Sequence, residues 1–486
     1  MALFKTENLN FTYPASSDKA LEDVSLEISS GDFVLLMGKT GSGKSTLFSM
    51  LKKEISPVGK ISGRVEVNTN SVSFVCQNPE LSFVSEYVRG ELAFVLENSI
   101  KNRSQIAVKI GETASYFNLT DLLDSKISNL SGGEKAMVSV AAAMAGDCDA
   151  LILDEPFAWL DPKASQQLIY MLKRINDELG VTVIVSTHSS QGLVDICDKI
   201  LIMEQGRILF DDTADNLRFN NRALDFFPLC TKLFDERPLT VKQAISYAAN
   251  LKEKEVEELS EGDTVLEIKN LTFAYEKKGR DILSNLNFKA YKGRIHAVIG
   301  ANASGKTTFL KAAAGIRKAY SGRVKSFGKM AYLPQNVRYL FTKDTVGEEI
   351  SIETAKAFEL DGFLNRHPYD LSGGQMQRLG LAILSQQSFD IILMDEPTKG
   401  IDVFGKKDLE RYMKKLSADG KTVIFVSHDL DFVGDVSDYV SFLSDSVIPI
   451  TGERHEVLSS LNYYTTQVRR ITKSHLKSAV SAEDLI

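Results

Sequence analysis

The sequence predicts an α/β fold in which one parallel-sheet domain occurs twice along the chain of 486 residues. Two observations support this. Six short strings of residues recur in the same order in both halves of the chain. In each half, several of these strings contain or follow short runs of apolar residues, which are typical of parallel strands covered by helices on both faces. Two homologous domains are therefore expected.

The recurring strings define the expected domain boundaries. They are LNFTY (9–13) and LTFAY (271–275), GKTGSGKST (38–46) and GANASGKTT (300–308), VCQN (75–78) and LPQN (333–336), LSGGE (130–134) and LSGGQ (371–375), LILDEP (151–156) and IILMDEP (391–397), and STH (186–188) and VSH (426–428). We expect domains at 1–218 and 265–450, an acidic linker at 219–264 and a tail at 451–486.

Composition excludes several classes of protein. The chain has 57 basic and 64 acidic residues and a formal net charge of −7, so we expect no nucleic-acid partner. No apolar run approaches the roughly 18–20 residues of a membrane helix, and the first residues lack the apolar core of a signal peptide. The four cysteines are scattered without a CxxC pair, which argues against zinc, iron–sulfur and disulfide sites and suits a reducing cytosol.

The glycine-rich strings have the spacing GxxxxGK[ST], which predicts two nucleoside triphosphate sites. In this motif backbone N–H groups surround phosphate oxygens at a helix N-terminus, the lysine adds positive charge and the hydroxyl ligates magnesium. One such string could be a turn that packs a strand against a helix, but two in matched contexts favour phosphate binding. The predicted nucleotide-binding residues are Gly38, Gly41, Gly43, Lys44, Ser45 and Thr46, and Gly300, Gly305, Lys306, Thr307 and Thr308.

Acidic pairs and histidines complete the predicted chemistry in each half. Asp154–Glu155 and Asp395–Glu396 each end an apolar run. The aspartate can hold magnesium, usually through water, and the glutamate can polarise the attacking water. Helix capping is the alternative for such a pair in isolation. His188 and His428 follow a strand at matched spacing and are expected to contact the γ-phosphate.

The LSGGE and LSGGQ strings add a second phosphate-binding surface at the start of a helix. Together with the other motifs, they make both halves resemble ATP-binding cassette (ABC) domains, over roughly residues 1–215 and 265–450. The resemblance implies that each domain has a RecA-like core, an antiparallel β subdomain and a helical signature subdomain. It also implies ATP and Mg²⁺ as cofactors, with the two cassettes pairing head to tail within one chain.

The resemblance distributes the motif residues over two composite ATP sites. It implies that Tyr13 and Tyr275 stack on adenines, and that Gly132, Gly373, Asp161 and Asp402 belong to the nucleotide-binding surface. Site one would combine the first half's Lys44, Ser45, Gln77, Asp154, Glu155 and His188 with the second half's Ser372 and Gly374. Site two would combine the second half's Lys306, Thr307, Gln335, Asp395, Glu396 and His428 with the first half's Ser131 and Gly133. Magnesium would be held by Ser45, Gln77 and Asp154 and by Thr307, Gln335 and Asp395.

Three differences between the halves predict two unequal sites. Ala303 stands where the first half has Gly41, so the second loop is strained if that position needs a positive φ. Trp159 corresponds to Gly400, and Met137 corresponds to Arg378. Both halves keep their glutamate and histidine, so both sites are expected to hydrolyse ATP.

Two further segments resemble the ATPases of energy-coupling-factor (ECF) importers that fuse both cassettes. They are NPELSFVSEYVRGELAFVLEN (78–98) and NYYTTQVRRIT (462–472), although Ser82 departs from the frequent glutamine. The resemblance implies that integral membrane subunits, a transmembrane coupling protein and a substrate-binding protein, dock near residues 84–97 (Val84 to Glu97) and 339–350 (Tyr339 to Ile350). The chain would then act at the cytoplasmic face of the membrane in uptake of a vitamin, a thiamine precursor or a metal ion.

The alternative is a soluble tandem-cassette ATPase that acts on ribosomes, in which the signature often reads LSGGEK, as at residues 130–135. Such proteins generally have a longer, strongly charged pair of helices between the domains. Here residues 251–263 form a short acidic stretch, and the segment after Gln77 has no role in that reading. DNA-repair cassette proteins are disfavoured because the 87 residues from Lys44 to Ser131 leave no room for their coiled coils or zinc sites.

Overall fold

The computed structural model describes residues 2–14, 18–97, 102–158, 160–188, 190–255, 259–260, 262–276 and 279–486. The chain divides into two compact units, Met1–Lys232 and Leu233–Ile486. Each unit contains one complete copy of the repeated motifs.

The first unit contains a three-stranded antiparallel sheet and a six-stranded, mainly parallel sheet. Their orders are β2-β1-β4 and β5-β6-β7-β3-β8-β9, in which only β9 runs antiparallel to its neighbour among the described strands. The strands are β1 (Ala2–Thr12), β2 (Leu21–Ser29), β3 (Phe33–Gly38), β4 (Lys60–Val67), β5 (Val72–Val75), β6 (Ala150–Leu153), β7 (Thr182–Ser186), β8 (Lys199–Glu204) and β9 (Arg207–Asp212).

The central strands of the first unit form because they are apolar on both faces. Every residue of β3, β6 and β7 is buried, as expected of parallel strands between layers of helices. The helices are α1 (Lys44–Leu51), α2 (Val88–Glu97), α3 (Arg103–Tyr116), α4 (Gly132–Met144), α5 (Pro162–Leu179), α6 (Ala214–Leu217) and α7 (Leu229–Lys232). Helices α2, α3 and α4 contact one another and form the predicted helical subdomain.

The second unit repeats this architecture. Its sheets have the orders β11-β10-β13 and β14-β15-β16-β12-β17-β18. The strands are β10 (Thr264–Phe273), β11 (Leu283–Tyr291), β12 (Ile295–Ile299), β13 (Ser321–Ser326), β14 (Met330–Leu333), β15 (Ile391–Asp395), β16 (Thr422–Val426), β17 (Tyr439–Ser444) and β18 (Val447–Glu453). The helices are α8 (Val241–Ile245), α9 (Lys306–Ala313), α10 (Val346–Glu349), α11 (Ile352–Ala357), α12 (Gly373–Ser385), α13 (Val403–Ala418), α14 (Leu430–Val436), α15 (Arg454–Ser460) and α16 (Gln467–Thr472).

Two apolar cores cover the two faces of the large sheet in the second unit. On one face, Leu271 and Phe288 of the antiparallel sheet pack with Phe309 of α9 and Leu393 of β15. On the other face, residues of α12 and α13 pack against alternate residues of β12, β15 and β16. The predicted α/β class, with a RecA-like core, an antiparallel subdomain and a helical subdomain in each domain, is confirmed.

The chain before β10 and the chain after β18 are folded together in the second unit. One carboxylate oxygen of Glu253 accepts hydrogen bonds from the backbone N–H groups of Lys477, Ser478 and Ala479 at 3.0–3.2 Å. Close by, the N–H of Lys254 donates to the carbonyl of Asp484 at 2.8 Å. Part of the acidic stretch between the repeats is thereby held by the C-terminal tail.

Within the described parts of the chain, no helix combines the length and the apolar character needed to cross a bilayer.

Candidate ATP sites

The two glycine-rich loops connect a central strand to the following helix in the same way. Gly43 and Gly305 adopt left-handed backbone conformations directly before α1 and α9. The Lys44 Nζ donates to the carbonyl oxygens of Gly38 and Lys39 at 2.9 and 3.1 Å. Lys306 makes the matching bonds to Gly300 and Ala301 at 3.0 and 2.9 Å. The ammonium group is thus held against the backbone of each loop.

The loops contain polar groups that fit a bound phosphate. The Oγ atoms of Ser42 and Ser304 are buried and have no hydrogen-bond partner. A buried hydroxyl without a partner is costly, and two at equivalent positions point to a ligand that satisfies both. With the buried lysine and the helix N-terminus, this donor set suits phosphate oxygens, and the loop hydroxyls of Ser45 and Thr307 suit Mg²⁺.

The position occupied by Gly41 and Ala303 has a positive φ in both loops, +81° and +59° respectively. The strain expected at Ala303 is therefore present. Because an added Cβ at Gly41 would meet no atom within 4 Å, we expect Gly41→Ala to lower the free energy of unfolding by about 1 kcal/mol through the backbone alone. Ala303→Gly should raise it by a similar amount. Denaturant midpoints measure both changes.

Gly111 provides the matched control for this prediction. It lies in the interior of α3, its φ is not positive, and a Cβ there would also meet no atom within 4 Å. Gly111→Ala should therefore stabilise the first unit by about 1 kcal/mol, as in any exposed helix interior. If Gly41→Ala stabilised the protein as much as Gly111→Ala does, a residue with a Cβ would not be strained at this position of the loop.

The two predicted magnesium-binding aspartates are buried at the carboxyl ends of their strands. The Asp395 Oδ1 accepts from the Thr307 hydroxyl at 2.9 Å, which joins two predicted metal ligands. Burial raises the pKa of Asp395, and the hydroxyls of Thr307 and Tyr332 oppose this shift. Burial likewise raises the pKa of Asp154, against the hydroxyls of Ser186 and Ser45. Binding of a divalent cation would favour the ionised form of both carboxyl groups.

Thr307, Gln335 and Asp395 line one cavity of about 480 Å³ in the second unit. Its wall also includes Lys311 and Tyr332. The three residues predicted to hold magnesium in this half therefore share one open space.

Each predicted catalytic glutamate contacts its histidine. The Glu155 Oε1 lies 2.7 Å from the Nε2 of His188, and the Glu396 Oε2 lies 2.8 Å from the Nδ1 of His428. The Nδ1 of His188 is buried without a partner. The glutamates also lie near the loop lysines, with Glu155 Oε1 3.6 Å from Lys44 Nζ and Glu396 Oε1 4.0 Å from Lys306 Nζ. These pairs form a polar cluster that faces the loop in each unit.

Both glutamates predicted to be catalytic have a left-handed backbone, with φ of +50° at each. Residues other than glycine avoid this conformation, and it is enriched at functional sites. It also occurs at other matched pairs outside the sites, such as Asn8 and Asn270, so it shows that the two units share one backbone path and does not by itself identify the reacting residues.

The signature residues lie at the surface of their own units. Ser131 and Ser372 are the N-caps of α4 and α12, and each forms a capping box with the residue three positions later. Gly132 and Gly373 are exposed at the start of these helices. Asp161 and Asp402 cap α5 and α13, accepting from the N–H groups of Ala164 and Gly405 at 2.7 and 2.8 Å.

The predicted adenine-stacking tyrosines lie beside the loop helices. The hydroxyl of Tyr13 is 3.1 Å from the Oγ1 of Thr46, and that of Tyr275 is 3.0 Å from the Oγ1 of Thr308. Both tyrosines are exposed, so their rings are accessible to a base. Trp159, the predicted point of asymmetry, lies outside the described residues.

Four polar residues at these sites were not singled out from the sequence. Ser42 and Ser304 belong to the loops, and Ser186 and Tyr332 bond to the aspartates. The aligned repeats contain a signal for the last two, since Tyr332 corresponds to Phe74 and Ser186 to Val426.

Comparison with known proteins agrees with this geometry. The model of the family described as ABC transporter matches residues 21–158 and 283–399, which is more than half of the chain. A Bacillus anthracis protein provisionally named an ABC transporter ATP-binding protein is 32% identical, over 99% of this chain and 97% of its own length. A Bacillus subtilis protein provisionally named an HMP/thiamine import ATP-binding protein is 27% identical, over 94% and 92%.

Among solved structures, the archaeal ribosome recycling factor aABCE1 in complex with the ribosomal stalk protein aP1 has a TM-score of 0.64 at 21% identity, covering 93% of this chain and 91% of that one. This likeness concerns the tandem fold. The repeated loops, acidic pairs and signatures, together with the family match over both halves, show that the chain belongs to the ABC transporter family and is an ATP hydrolase with two tandem cassettes.

Proposed function

We propose that the chain is the motor subunit of an ECF-type importer, a peripheral protein at the cytoplasmic face of the membrane. The observation that carries the proposal is a surface built after Gln77 in the first unit, at the segment predicted to dock membrane subunits. Val84 and Phe94 in this segment are 65% and 46% exposed. The corresponding segment of the second unit begins with Tyr339, which is 80% exposed. Exposed apolar side chains suit contact with a hydrophobic partner.

One carboxylate shapes this segment in each unit. Glu91 is 5% exposed, and its Oε2 accepts from the N–H groups of Val84 and Ser85 at 2.9 and 2.8 Å. In the second unit Glu349 accepts in the same way from Thr342 and Lys343. Because a charged acceptor holds the turn before the helix in both units, the apolar side chains next to it are presented on a fixed backbone.

The nature of the substrate is drawn from a relative. The Bacillus subtilis protein is named for HMP/thiamine import, and we propose a vitamin or vitamin precursor for this chain. Substrate recognition would belong to the membrane subunits, because every motif discussed here concerns ATP or docking.

In the proposed cycle, each composite site forms when the phosphate loop of one cassette meets the signature of the other. Bound ATP and magnesium would supply the charges that hold the two surfaces together. Lys44 and Lys306 would neutralise the phosphates, Glu155 and Glu396 would orient and polarise water, and His188 and His428 would contact the γ-phosphate. Reopening after hydrolysis would move the docking segments and the membrane subunits bound to them.

Charge placed on the docking segment should break the membrane contact and spare the ATP sites. We expect the double variant Val84→Lys with Phe94→Lys to recover at least about tenfold less membrane partner, as for loss of an interface hot spot. Its nucleotide affinity and melting temperature should match those of the parent. Co-purification from detergent-solubilised membranes measures the first, and fluorescent nucleotide titration and thermal melts measure the others.

Val108→Lys is the matched control for the docking variant. Val108 is 70% exposed on α3, outside the docking segment, so the same charge there should leave recovery unchanged. If the docking variant and the control recovered the same amount of membrane partner as the parent, the segment at residues 84–97 would not be the docking surface.

A tagged pull-down from the native host tests the proposed function as a whole. Salt-washed membranes and the cytosolic fraction are processed in parallel. Small, very hydrophobic proteins retained in detergent support the importer and lead to its substrate. Ribosomal proteins and RNA from the cytosol, with nothing from membranes, would overturn it in favour of the ribosome-acting alternative and leave the ATPase intact.

A further inference from the structure

The aspartates predicted to bind magnesium are held by hydroxyl groups from opposite sides in the two units. In the second unit the hydroxyl of Tyr332 donates to the Asp395 Oδ2 at 3.1 Å. Tyr332 lies on β14, where it is paired with Leu393, two residues before Asp395 on β15. The donor therefore comes from the strand at the outer edge of the sheet.

In the first unit the donor comes from the other neighbouring strand. The hydroxyl of Ser186 donates to the Asp154 Oδ1 at 2.6 Å. Ser186 ends β7, on the side of β6 that faces the centre of the sheet. The same hydroxyl accepts from the N–H of Glu155 at 2.8 Å, so one serine ties the aspartate to the backbone of the catalytic glutamate.

The two units differ at two equivalent positions in their sheets. At each position one unit has the residue that donates to the aspartate, and the other unit has an apolar residue. Phe74 on β5 is paired with Ile152, two residues before Asp154, which is the place that Tyr332 has in the second unit. Val426 on β16 is paired directly with Asp395, the place that Ser186 has in the first unit. At these two strand positions, each unit therefore has a hydroxyl group at one and an apolar side chain at the other, and the order is reversed between the units.

We propose that Tyr332 and Ser186 are positioning residues that orient the magnesium-binding carboxylates, each from its own side. The inference deepens the proposed ATP sites and rests on them. A carboxylate that accepts a fixed hydrogen bond at one oxygen presents the other in a defined direction, and such outer contacts tune metal affinity by about 10- to 100-fold.

The test isolates one loop in the full-length chain. Lys44→Met blocks nucleotide binding at the first loop, and a methylanthraniloyl-labelled ADP reports binding at the second by fluorescence. The measured quantity is the ratio of dissociation constants in EDTA and in Mg²⁺. We expect Tyr332→Phe to lower this ratio about tenfold, with the affinity in EDTA unchanged. The variant should fold because Phe74 occupies the same place in the first unit.

Adding Val426→Ser to Tyr332→Phe transfers the donor of the first unit and should restore the ratio. The mirror experiment blocks the second loop with Lys306→Met, removes the donor with Ser186→Val and restores it with Phe74→Tyr. A normal magnesium effect in Tyr332→Phe would overturn the inference while leaving the ATP site standing. A loss that Val426→Ser does not restore would also overturn it, because a hydroxyl donor from the other neighbouring strand would then not replace the hydroxyl that Tyr332→Phe removes. Absence of nucleotide binding in the Lys44→Met parent would overturn the second ATP site itself.

Discussion

Replacing Glu155 and Glu396 together with glutamine is expected to lower ATP hydrolysis by at least about a hundredfold, the scale of general-base catalysis. Glutamine keeps the size and a hydrogen-bond acceptor for the histidine but cannot take a proton from water. ATP binding should persist, so the chain should remain in the closed, ATP-bound state. Phosphate release measures the first effect, and ATP retained through gel filtration measures the second.

Glu112→Gln is the matched control, since Glu112 is a carboxylate on α3, 63% exposed and outside the docking segment. The single variants test whether the sites are equal: unequal rates for Glu155→Gln and Glu396→Gln would agree with the asymmetry predicted from the repeats. Hydrolysis at the parental rate in the double variant would show that these carboxylates do not have the assigned role.

Replacing Lys44 or Lys306 with methionine should weaken nucleotide binding at the altered loop by about a hundredfold or more. Each lysine side chain is only 6% exposed, and its ammonium group would be the main charge opposite the phosphates, where charge-assisted hydrogen bonds are strongest. The stoichiometry of labelled ADP, measured by equilibrium titration, should fall from two sites to one in either variant.

Lys39→Met is the control for the lysine variants, because Lys39 lies in the first loop with its side chain partly exposed beside Glu204. It should keep two sites. Two sites of unchanged affinity in Lys44→Met would show that the loop does not bind the phosphates through this residue.

The sequence predicts the central strands almost to the residue because they are buried on both faces. The apolar runs that lead into the two glycine-rich strings illustrate this: residues 295–299 coincide with β12, and residues 33–37 are one residue shorter than β3. The burial that selects apolar side chains also fixes where each strand ends, at the loop or the acidic pair. Repetition of the motifs made the second copy recognisable despite its different length.

The motif residues were predictable because their spacing is set by local backbone geometry. The hydrogen bonds from Tyr332 and Ser186 to the aspartates were not, since these two residues reach the aspartates across neighbouring strands, 63 and 32 residues away in the chain. The aligned repeats show that each residue differs between the halves, but only the register of the sheet places its hydroxyl beside an aspartate.

The association of the acidic stretch with the tail was also beyond sequence analysis. Glu253 and Ser478 are 225 residues apart, and neither lies in a periodic or repeated pattern. The carboxylate is satisfied mainly by backbone N–H groups, which any residue supplies, so side-chain identity contains no signal of the contact.

The left-handed backbone at Glu155 and Glu396 implies a trade-off between stability and activity. A conformation that costs about 1–2 kcal/mol for a residue with a Cβ is present at both residues assigned to water activation. Glycine at either position would relax the main chain and remove the carboxylate in the same step. Selection for a more stable protein and selection for turnover therefore act in opposite directions at these two positions, and screening for thermal stability alone would favour inactive chains.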